Sequence, residues 1–155
     1  MSFTKYSAKL PAFNRWTEAT QKFGESEWSN YQAYSFRVDH LLMALEILCP
    51  EFVVKDSFVL RKNNIPDDWE KFLSDSREAN WSSSDIEYVL NHLHIADCFP
   101  NDPDLAQIDM DVYRFLAKTV AEMWGYRLRS LFPDKNFDIW VGNMDDDPEV
   151  SVMVK

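Results

Sequence analysis

Glycine, cysteine and histidine are scarce in this chain, and each shortage narrows what it can be. Three glycines in 155 residues are too few for a sandwich built from many short hairpins. Two cysteines, Cys49 and Cys98, imply no disulfide framework. The N-terminal stretch has no signal-peptide apolar core, so a reducing cytoplasm is the expected compartment. No run approaches the roughly 18 apolar residues of a membrane span. Also missing are a Walker loop, a G-x-G-x-x-G turn, a G-x-S-x-G elbow and paired C-x-x-C motifs. Basic charge is short too, with 16 Lys and Arg against 26 Asp and Glu and a net charge of −10. That excess opposes DNA phosphates and anionic bilayers, so neither nucleic acid nor membrane is an expected partner. Arg114, Lys118, Arg127, Arg129 and Lys135 do not line up into a basic stripe.

What is present is apolar bulk. The chain is 46% hydrophobic and 15% aromatic, with six Trp and eleven Phe, enough to build a full core and to oppose disorder. Length and the lack of a linker predict a single domain over residues 1–155.

Residues 11–23 read as a helix, with Pro11 at its start and Gly24 after its end. A longer helix is expected up to about Cys49, capped by Ser26. It carries a stripe of Tyr31, Tyr34, Val38, Leu41, Leu42, Leu45 and Leu48 and a second strip of Phe36, Met43 and Ile47. Apolar on two faces, it is expected to be central in the fold, and it is also the candidate contact of a homo-oligomer. "EFVVKDSFVLRK" predicts a hairpin or one bent strand. Pro66, Asp67 and Asp68 start a short helix to about Leu73, and "SREANWSSSD" reads as a loop. Ser84 and Glu87 form a capping box for a helix with Ile86, Val89, Leu90 and Leu93 on one face. A long helix runs from Asp109 or Asp111 to Leu131, stopped before Pro133. Alternation of Phe137, Ile139 and Val141, then of Val150, Val152 and Val154, predicts a C-terminal β-hairpin. The class is therefore α+β: four or five helices packed with a small antiparallel sheet.

The one cluster of metal-ligand residue types is "NHLHIADC". On a strand, His92 and His94 would point the same way; on a helix they diverge by about 200°. The capping box and the apolar stripe favour the helix, which splits the pair. The expectation is therefore no metal and no cofactor, with His94 packed at the core edge. The alternative is a metal-binding protein or metal-dependent enzyme centred on Glu87, His92, His94, Asp97 and Cys98, with His40 as a further candidate. Cys49 follows a helix C-terminus, where a thiolate is disfavoured, and Cys98 lies beyond another, so cysteine catalysis is not expected.

Asn143, Asp145, Asp147 and Glu149 invite a calcium reading. Pro148 and Val154 occupy the positions where an EF-hand loop needs Gly and a bidentate acid, so that reading fails. An exposed acidic tip beside Trp140 resembles an interaction hot spot instead. The expected function is non-enzymatic binding of a basic protein, in the manner of an inhibitor, immunity or anti-defence protein that masks a basic surface. Its candidate contacts are Trp140, Asp145, Asp146, Asp147 and Glu149, followed by the acidic stretch 102–111.

Overall fold

A computed structural model describes residues 4–24 and 27–155. Ser26, the cap expected for the second helix, lies outside the described residues. Helices α1 (Thr4–Ser7), α2 (Pro11–Thr20), α3 (Trp28–Ser35) and α4 (Val38–Leu48) lead into a hairpin of β1 (Phe52–Lys55) and β2 (Phe58–Arg61). Then follow α5 (Trp69–Glu78), α6 (Ser83–Leu90), the short strand β3 (Leu93–His94), α7 (Met110–Leu131), β4 (Phe137–Gly142) and β5 (Glu149–Val154). The α+β class holds, with two antiparallel sheets, β1-β2 and β3-β5-β4.

The first helix starts with Pro11 and, after a 3₁₀ turn at Gln21–Phe23, ends at Gly24 with φ 75, a conformation that glycine adopts without a Cβ clash. The expected long second helix is corrected. It breaks at Phe36 and Arg37, which are extended, and so the helix count exceeds four or five. Neither residue is a helix breaker; the two halves serve different partners. Trp28 and Tyr31 of α3 pack on Phe13 of α2 with ring centroids 5.1 and 5.3 Å apart. Ile47 and Leu48 of α4 instead reach the main core, where Trp124 Nε1 donates to the Ile47 carbonyl at 2.8 Å. Nor is this segment central. Tyr34, Phe36, Val38, Leu41, Leu42, Met43 and Leu45 are all exposed.

"EFVVKDSFVLRK" is a hairpin whose turn residues, Asp56 and Ser57, both have positive φ, the geometry that matches strand twist. α5 starts on the Asp68 cap and runs past Leu73 to Glu78, absorbing part of the expected loop. The capping box of α6 is corrected from Ser84/Glu87 to Ser82/Asp85. Three serines in a row offered several registers, and Glu87 is used elsewhere.

The main core lies where α7 crosses the C-terminal hairpin. Ala117, Trp124, Leu128 and Val150 are wholly buried there. A smaller core of Leu60, Trp69, Leu73, Ile86 and Leu90 joins β2, α5 and α6. Two buried polar side chains of α6 and its end stitch the sheets together. Glu87 accepts the Val59 N–H of β2 at 2.8 Å with one oxygen and the Val154 N–H of β5 at 2.6 Å with the other. Asn91 accepts from Arg61 N and donates to the carbonyls of Val59 and Val152, all within 2.9 Å. Buried polar groups are tolerated only when paired in this way. Among the described residues, no helix is long and apolar enough to cross a membrane.

Candidate metal centre

Asn91 also decides the fate of the histidines. As the residue after α6, it turns its side chain into the space between the sheets. The chain leaves the helix there, and His92 and His94 belong to an extended segment, which corrects the helical placement. Two positions apart on extended backbone, the rings share a side. β3 pairs with β5 so that His94 stands directly opposite Glu149, the closest placement a sheet offers.

The polar atoms converge. His92 Nε2 lies 3.0 Å from His94 Nε2 and 2.5 Å from Glu149 Oε2, and His94 Nε2 lies 3.7 Å from that same oxygen. The Glu149 side chain is 4% exposed, against 19% for His92 and 36% for His94, so the centre has a buried floor and an open side. Its supports are set as well. Asp147 Oδ2 stands 2.6 Å from His94 Nδ1. With Nδ1 donating to that carboxylate, Nε2 keeps its lone pair for the centre. Asn143 Nδ2 donates to Glu149 Oε1, leaving Oε2 as the free donor atom. Tyr88 packs edge-on against His92 at 5.1 Å. Burial, and then the charge of Glu149, hold its hydroxyl above the ordinary tyrosine range.

Of the residues predicted as the alternative metal centre, the fold brings together only His92 and His94. Glu87 is spent on two backbone N–H groups. Asp97 is exposed. Cys98 turns its sulfur to the His94 carbonyl at 3.6 Å, and burial pushes its thiol up, with Arg61 opposing. Such a thiol makes a poor nucleophile. His40 stays on α4 against Phe36.

The predicted acidic tip divides in two. Asp147 and Glu149 turn to the histidines, while Asp145, with a side chain 95% exposed, reaches Arg114 at 3.0 Å, and Asp146 is exposed. Trp140 is half-buried against Tyr88, with ring centroids 5.4 Å apart. The acidic stretch 102–111 is largely paired within the chain. Asp104 takes both ends of the Arg15 guanidinium, at 2.9 and 2.6 Å, and Asp109 and Asp111 share Lys9.

The residue that sequence reasoning assigned elsewhere is Glu149, placed among partner contacts rather than ligands. Its signal was present only as an oxygen in "NMDDDPE"; nothing local couples position 149 to position 94. Comparison of the chain with protein-family models, with curated proteins and with solved structures found no match.

Proposed function

We propose that the protein binds a divalent transition metal through His92 Nε2, His94 Nε2 and Glu149 Oε2. One observation carries this: three donor atoms, two from the segment at β3 and one from β5, lie around one spot, the farthest pair 3.7 Å apart. Donors about 2.0–2.2 Å from one zinc ion sit roughly 3.3–3.5 Å from each other at tetrahedral angles, so His92 and Glu149 need part by less than about 1 Å. Two imidazoles and one carboxylate suit zinc, and also iron(II), better than calcium or magnesium. Three protein ligands leave a position open, on the exposed side of His94, where a bound water would be polarised. Asp147 supplies the outer carboxylate that metal-bound histidines usually have.

The test is metal content. After chelation and back-titration with zinc, one equivalent is expected by elemental analysis, and cobalt should give a visible spectrum that His94→Ala and Glu149→Ala abolish while circular dichroism stays native. Absence of stoichiometric metal overturns the proposal.

A second reading, docking onto a basic protein, is supported by the exposed Asp145 and Asp146 in a chain of net charge −10. Capture of a basic partner that weakens sharply between low and high salt is its expected outcome, and salt-insensitive recovery refutes it. Self-association is the other protein contact, supported by the exposed apolar row of α4 and decided by light scattering.

A further inference from the structure

Arg61 is an anomaly in so acidic a chain. It is half-buried, its Nε is enclosed without a hydrogen-bond partner, and among the described residues it has no ion pair. Its known contacts are to neutral groups: Nη1 donates to the His92 carbonyl at 3.1 Å, and the guanidinium lies 5.1 Å above the Trp124 ring. Removing a guanidinium from water without an anion is costly, and proteins compensate half-buried cations with a carboxylate or phosphate. Among the described residues no carboxylate supplies it, and the one titratable neighbour that acts on its charge is the Cys98 thiol.

Arg61 and Cys98 line a cleft of about 800 Å³ between α4 and the end of β2, a size within the usual range of small-ligand sites. Leu42, Met43, Leu45, Ile47 and Pro50 give the cleft an apolar wall. Its other cation, Lys62, is already held by Glu51 at 2.9 Å, and Glu46 adds an exposed negative charge. A cation with no carboxylate partner among the described residues therefore shares the cleft with an apolar wall, and acids at the margin repel a multiply charged anion.

We propose that this cleft binds a monocarboxylate with an apolar tail, its carboxylate on Arg61 and its tail along Leu42, Met43 and Ile47. Arg fits the group because its planar fork matches the two carboxylate oxygens. Of the α4 side chains that line this cleft, Leu42, Met43 and Leu45 are exposed to solvent, and a tail would cover them.

The probe is decanoate, below its micellar concentration, titrated calorimetrically into the full chain. EDTA is present so that a metal at His92, His94 and Glu149 cannot take the carboxylate. Saturable one-to-one binding is expected, with decanol and decyl phosphate each weaker by about 10-fold or more, and Arg61→Gln weaker by about 10- to 100-fold. Should Arg61→Gln fail to fold, Leu42→Glu decides instead. Leu42 is 60% exposed, so that change leaves the core intact and sets a negative charge against the ligand. No saturable binding, equal binding of decanol, tighter binding of decyl phosphate, or an unchanged affinity in the folded variant would each overturn the proposal. None of these results bears on metal content, which is measured separately.

Discussion

Changing Glu87 to Gln replaces one carboxylate oxygen by an amide NH₂ and alters almost nothing in size. Its two oxygens each accept a backbone N–H, Val59 on β2 and Val154 on β5, at 2.8 and 2.6 Å. The residue is 3% exposed, so water cannot replace a lost partner. Gln keeps one acceptor and turns a donor towards the other N–H, which breaks one charge-assisted hydrogen bond and leaves two donors facing each other. A bond to a charged group is worth about 1.5–3 kcal/mol, and an orphaned buried donor costs about 1–3 kcal/mol, overlapping losses that together amount to about 2–4 kcal/mol. For a domain of this size the corresponding fall in Tm is on the order of 5–15 °C. Urea unfolding followed by circular dichroism measures it, with an unchanged slope expected because the surface exposed on unfolding is the same. Zinc affinity of the folded variant should match the parent, since Glu87 is not among the three converging donors. A loss below about 1 kcal/mol refutes the clamp; a normal stability with lost zinc would return Glu87 to the candidate metal centre.

Three further outcomes test other parts of the structure. Asp147→Ala frees the His94 ring at Nδ1, and a fall of about 10- to 100-fold in zinc affinity with little change in stability is expected from competition with a chromophoric chelator. Asp104, Asp109 and Asp111 all lie below the ordinary carboxylate value of 3.8, Asp104 because Arg15 bonds to it, Asp109 through the Asp111 backbone N–H and then Lys9, and Asp111 through Lys9 first. Their stabilisation is therefore complete above that value and is lost as pH falls through the lower folded-state values. Acid titration below about pH 4 should release α1 and α2 from the start of α7, and Asp104→Asn should remove part of that pH dependence. At Gly142 an added Cβ would sit 2.0 Å from the Trp140 ring. Gly142→Ala is expected to expel Trp140 from Tyr88, shifting its emission to longer wavelength and lowering stability by about 1–3 kcal/mol.

Legibility in the sequence followed the range of the interactions. Elements governed by neighbours a few residues away were readable: α2 between Pro11 and Gly24, α7 up to Pro133 and the C-terminal hairpin, with residues 51–62 left between a hairpin and one bent strand. Elements governed by distant partners were not. Nothing between Tyr34 and Val38 announces a helix break, because the break reflects which surfaces α3 and α4 separately meet. The apolar pattern of α4 promised burial, yet only its end at Ile47 and Leu48 reaches the core.

The candidate metal centre shows why the same limit applies to chemistry. Local pattern kept the helix running to Leu93, and on a helix the two imidazoles face different ways. What ends it at Leu90 is Asn91, which is worth more as a donor and acceptor to three backbone groups on two sheets than as one further helical residue. Those bonds reach Val59, Arg61 and Val152, all at least 30 positions away in sequence, so no window over the "NHLH" stretch contains them. Once Asn91 is fixed, extended backbone follows, β3 takes the edge of β5, and register alone brings Glu149 opposite His94. The spacing H-x-H was thus a strand signal throughout. Reading it correctly required knowing that the preceding asparagine is buried, and burial is a property of the fold rather than of the segment. Asn91→Ala should accordingly do more than destabilise: with the clamp gone, the α6 pattern is free to extend through Leu93, the two rings separate, and zinc affinity falls together with stability. If zinc affinity survives in a folded Asn91→Ala protein, the strand is held by β5 alone and the asparagine is not what sets the histidine pair.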